Sequence, residues 1–129
     1  MNARRTTAVA LTATVVASVA VGAAAPANAK GGDAVRASKS CSTGVLKLKA
    51  KHDDGRLEVE VEVDTNRNGQ KWAVRILDNG VTAWKGSRTT HAPSGSFSVE
   101  KRIADKAGKD VVKVRVARGT TVCSTQVTV

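Results

Sequence analysis

The sequence predicts an all-β fold, a small sandwich of two sheets and about seven strands. Three observations lead there. From Cys41 to Val129 apolar residues recur at every second position, the period that places neighbours on opposite faces of a strand. The dipeptides Asp54-Gly55 and Asn79-Gly80, which accept the positive φ angles of tight hairpin turns, separate alternating runs. No stretch keeps the 3.6-residue period of an amphipathic helix.

The chain has 129 residues, room for one domain at most. Residues 1–29 read as a secretion signal. Arg4-Arg5 precede an uncharged Ala/Val/Thr run from Ala8 to Ala25, and Ala27-Asn28-Ala29 is a small-x-small cleavage signature. Thr6 and Thr7 follow the arginines where twin-arginine export would want a bulky apolar residue, so the general secretory route is expected. The mature protein then starts at Lys30, with neither lipid anchor nor membrane-spanning tail, and is secreted to the extracellular space. Removing Arg4 and Arg5 from a chain of net charge +10 leaves about +8. Residues 30–40 are polar and aperiodic and are expected to form a flexible tail, leaving residues 41–129 as the sandwich.

The strands follow in order. Leu46, Leu48 and Ala50 alternate with Lys47, Lys49 and Lys51. Leu57, Val59, Val61 and Val63 alternate with Arg56, Glu58, Glu60 and Glu62. Next come Trp72, Val74 and Ile76, a run from Val81 to Lys85, then Phe97 with Val99. Val112, Val114 and Val116, and finally Cys123, Thr125, Val127 and Val129, close the series. A turn at Asp54-Gly55 sets the first hairpin so that Lys51 faces Glu58, Lys49 faces Glu60 and Lys47 faces Glu62. That makes the lysine row a neutralised solvent face rather than a polyanion site. In an oxidising compartment Cys41 and Cys123, the only cysteines, should form a bridge across 82 positions. It would contribute about 4.5 kcal/mol in the chain-entropy treatment.

Catalytic chemistry finds no support. The serines Ser94, Ser96 and Ser98 lie in or beside a loop with no nucleophile elbow, and His52, Asp53 and His91 show no spacing that would converge on a substrate. Asp64 to Gly69 fits the opening of a calcium loop. Arg75 stands where the closing glutamate belongs and Trp72 fills the ninth position, so the segment reads as a strand connection. Neither cofactor, metal nor nucleic-acid motif is expected.

The charge distribution is more informative. Grouping the strands that begin at Cys41, Arg56 and Gly95 into one sheet gives it a self-neutralised outer face. The other sheet then presents Lys71, Arg75, Lys113 and Arg115 with no acid among them. A turn at Asn79-Gly80 pairs Arg75 with Trp84, which places an indole among those cations. Lys71, Arg75, Trp84, Lys113 and Arg115 are thus the candidate binding face. Trp84 is open to two readings, a ligand platform or an apolar ring stacked under arginine.

Leu46-Lys47-Leu48-Lys49-Ala50-Lys51, the run DGRLEVEVEVD from Asp54, NRNGQKW from Asn66 and RTTHAPSGSF from Arg88 carry a resemblance. They resemble uncharacterised small secreted immunoglobulin-like β-sandwich proteins of high-GC Gram-positive bacteria. The resemblance covers most of the mature chain. It implies a single immunoglobulin-like domain and transfers no functional residue. Antibody domains bridge strands two and six, whereas here the cysteines fall on the first and last strands, and Trp72 is a partial echo of their core tryptophan. The functional expectation is a secreted, non-enzymatic binding or adhesion module for anionic cell-wall or extracellular polymers. The alternatives are a small-molecule carrier, by architectural analogy, and an enzyme inhibitor presenting the loop Arg88–Gly95.

Overall fold

A computed structural model describes residues 32–129; the leader and its cleavage point lie outside the described residues. Eight strands form, β1 (Val35–Cys41), β2 (Gly44–Asp53), β3 (Arg56–Asp64), β4 (Lys71–Asp78), β5 (Val81–Thr89), β6 (Ser96–Ala104), β7 (Val111–Arg118) and β8 (Thr121–Thr128). They build two four-stranded antiparallel sheets, ordered β1-β2-β3-β6 and β5-β4-β7-β8. The hairpins β1-β2, β2-β3, β4-β5 and β7-β8 stay within a sheet, while the connections after β3, β5 and β6 cross between sheets. β6 thereby returns beside β3, and β7 beside β4, as in Greek-key sandwiches of the immunoglobulin type.

The period of two creates the core. Leu46, Leu48 and Ala50 of β2 lie opposite Val63, Val61 and Val59 of β3, and all six are buried. Trp72, Val74 and Ile76 of β4 and Val112, Val114 and Val116 of β7 fill the facing layer. Branched side chains suit a pleated surface, and their alternation leaves the intervening charges in water. The turns obey local backbone chemistry. Asp54 and Gly55 have φ of 53° and 78°, Asn79 and Gly80 of 50° and 83°, as type I′ turns require. At the β7-β8 turn only Gly119 is positive, which fits a type II′ turn with glycine first.

Residues 35–40, expected to be part of a flexible tail, instead form most of an edge strand. β1 pairs along its whole length with β2, from Val35 opposite Ala50 to Cys41 opposite Gly44. Its sequence lacks apolar alternation because an edge strand needs ladder hydrogen bonds more than burial, and only Ala37 and Cys41 pack against the core. Cys41 and Cys123 are bridged, with Cα atoms 5.9 Å apart. β1 and β8 are edge strands of different sheets, so the bridge staples one flank of the sandwich. Such a bridge is compatible with an extracellular protein.

Candidate functional site

The two outer faces differ in how their charges are used. On the first sheet, Lys47 pairs with Glu62 at 3.3 Å, Lys49 with Glu60 at 3.5 Å and Lys51 with Glu58 at 3.7 Å. Arg102 reaches Asp53 at 3.4 Å. Each lysine of the ladder therefore has its carboxylate in the register expected from the turn.

On the second sheet the register aligns like charges. Arg75 of β4 lies directly opposite Lys85 of β5 on one side and Arg115 of β7 on the other. Adjacent strands lie about 4.8 Å apart, so these three cations form one row across the sheet. Ser124 of β8 continues it beside Arg115. Lys71 stands two alternations from Arg75 on β4, and Lys113 one from Arg115 on β7. Among the described residues none of these five cations has a carboxylate within ion-pair distance. Ala73, Ala117 and Ser87 flank the row, leaving a shallow hollow with Arg75, Lys85 and Arg115 on its walls.

Trp84 does not belong to this face. Leu77 pairs with Thr82 but Ile76 pairs with Trp84, so Ala83 is an extra residue in β5, a β-bulge. One inserted residue turns every following side chain to the other face. Lys85, not Trp84, therefore stands beside Arg75. The indole lies half-buried against the core on the flank where β5 meets β6. An arginine does cover it, though a different one from Arg75: Arg88 Cζ is 5.2 Å from a ring centroid, and Lys101 Nζ of the opposite sheet is 5.0 Å away. Both cations come from inward positions, Arg88 opposite Trp72 and Lys101 opposite Val59. A Cβ on Gly86 would stand 2.7 Å from Trp84 Cζ2, so glycine makes room for the ring. No sequence signal marks Ala83 as the extra residue, which is why Lys85 escapes a reading by alternation.

The other sequence candidates have local roles. His52 Nδ1 and Asp105 Oδ2 are hydrogen-bonded at 2.8 Å, Asp53 faces Arg102, and His91 makes a backbone bridge with Ser96. These groups serve opposite ends of the sandwich and do not converge. Asp64 Oδ1 accepts from the Asn66 amide at 3.2 Å, closing a turn in which Asn66 has a φ of 56°. Arg75 lies on the cationic face and closes no loop. The irregular stretch after β5 is Thr90–Gly95, shorter than expected, and is tied to the β3-β4 connection. Gly69 donates to the Thr90 carbonyl at 2.7 Å and Thr65 to that of Gly95 at 3.0 Å. No protein-family model, curated protein or solved structure matches the chain.

Proposed function

We propose that the protein is a secreted, non-enzymatic binding or adhesion module whose second sheet takes anionic cell-wall or extracellular polymers. The row Lys85–Arg75–Arg115 carries this reading. Like charges directly opposite each other on adjacent strands destabilise a sheet, and no acid on this face offsets them. The first sheet shows the alternative arrangement, in which every ladder lysine is paired. A polymer bearing regularly spaced anions would relieve the repulsion of the row while Lys71 and Lys113 extend the contact. Two guanidiniums side by side suit phosphate groups, which accept paired N–H donors. Such binding works by counterion release and weakens steeply with salt.

Chromatography of the mature protein on immobilised poly(glycerol phosphate) tests the proposal. Arg75→Glu with Arg115→Glu should abolish retention at about 150 mM salt, the range in which surface charges are screened over about 8 Å. Lys47→Glu with Lys49→Glu changes net charge by the same amount and should leave most retention intact. Equal losses would show that net charge alone drives binding and would overturn the assignment.

A further inference from the structure

At the opposite end of the sandwich from the Thr90 connection, two aspartates are buried. Asp78 ends β4 and Asp110 precedes β7; their residues are 1% and 0% exposed. None of their four carboxylate oxygens receives a well-formed hydrogen bond. The Lys106 ammonium pairs with Asp78 Oδ2 at 3.8 Å and donates to the Asp78 carbonyl at 3.1 Å. The side chains of Asp105 and Asp78 neighbour the carboxyl of Asp110. Asp105 in turn bonds His52 of the β2-β3 hairpin. Neighbouring carboxylates covered from solvent repel each other, and a proton on Asp110 relieves the repulsion.

We propose that His52, Asp105, Asp110 and Asp78 form a proton-operated latch. One proton on Asp110 ties the β6-β7 connection to the end of β4, and Asp105 ties the same connection to the β2-β3 hairpin. Loss of the proton loosens that end of the sandwich. The connection is otherwise held by Asn79, whose Oδ1 accepts from the Val111 amide at 2.8 Å and whose Nδ2 donates to the Lys109 carbonyl at 3.3 Å. Asp110 also exchanges both main-chain bonds with Val129, at 3.0 and 2.9 Å.

The surrounding charges set the working range. Burial, then the bond to Asp105, then the charge and bond of Asp78, push Asp110 up to about 6; the Lys106 amide opposes this weakly. His52, by hydrogen bonding, and then Asp110 hold Asp105 below its ordinary value. Lys106 is the cation facing Asp78. On the neighbouring strands Arg102 is engaged with Asp53, and Arg56 donates to the Arg102 carbonyl. The linkage has a definite sign. Asp110 keeps its proton to about pH 6 when folded but releases it near 3.8 when unfolded, so stability falls as pH rises across that interval. Asp105 acts the other way: its contribution is present above 3.8 and is lost as pH falls below it.

Amide hydrogen exchange at Lys106 to Val111, with melting temperature, from about pH 4.5 to about pH 7.5 tests the latch. After correction for intrinsic exchange, opening of this segment should rise by up to about tenfold per pH unit while folded Asp110 keeps its proton. It should level off above about pH 6 after a rise of about thirtyfold from about pH 4.5, and melting temperature should fall over the same range. Asp110→Asn should flatten both profiles. Should that variant not fold, the pH profile of the native protein still decides. Profiles flat between about pH 4.5 and about pH 6, or wild-type dependence in Asp110→Asn, would overturn the latch. So would millimolar calcium that restores protection at pH 7.5, since a cation rather than a proton would then occupy the cluster.

Discussion

Trp84 can lie along β5 because position 86 carries no side chain. The indole closes the flank that lacks the disulfide, and Arg88 and Lys101 cover it from two strands. A methyl group at position 86 would overlap the benzo ring, against Cζ2 at 2.7 Å and Cη2 at 2.8 Å. Overpacking of this kind costs about 1–3 kcal/mol. Gly86→Ala should therefore lower the midpoint of urea unfolding and shift the tryptophan emission toward that of a more exposed ring. An unchanged midpoint with unchanged emission would show that the ring does not rest on Gly86. At the same scale Asp78, Asp105, Asp110 and His52 illustrate what a sequence hides. They come from three separate segments, each residue an ordinary turn or strand-end one, and only the packed sandwich end brings them together.

The β2-β3 hairpin shows an element whose structure is legible in its residues. The dipeptide Asp54-Gly55 fixes the turn, and alternation fixes the rest, from Asp53 opposite Arg56 to Leu46 opposite Val63. Its Lys–Glu pairs are partly exposed, so each contributes only about 0.2–1 kcal/mol. Lys49→Glu should destabilise by an amount in that range, and adding Glu60→Lys should recover most of it in a double-mutant cycle. A coupling energy near zero would mean that the ladder is solvated charge without pairing. Two elements were not legible, for opposite reasons. β1 lacks the apolar rhythm because an edge strand half in water does not need one. β5 has a rhythm that misleads, because Ala83 is inserted where the dipeptide Asn79-Gly80 already accounts for the turn. From there the alternation runs one position out of phase, and Trp84 exchanges faces with Lys85.

At the scale of the molecule, the sandwich is closed in two different ways. The flank between β1 and β8 is held by Cys41–Cys123, and the flank between β5 and β6 by the Trp84 cluster. Replacing both cysteines by serine should cost up to about 4.5 kcal/mol, since the bridge closes most of the described chain into one loop. Chemical unfolding with and without reductant measures this, and an unchanged stability would show that the core alone suffices. The observed sheets match the grouping supposed for the strands, which alternation and turns alone do not fix. Within that grouping the paired first face and the cationic second face were legible in the sequence. The membership of the cationic face was not, because it depends on the bulge. The most direct test of the binding assignment is an amide NMR titration of the mature domain with poly(glycerol phosphate). Resonances of Arg75, Lys85 and Arg115 and their neighbours Ala73, Ser87 and Ser124 should shift together, while Lys47, Lys49 and Lys51 stay in place. Shifts centred on the first sheet, or spread evenly over both, would contradict it.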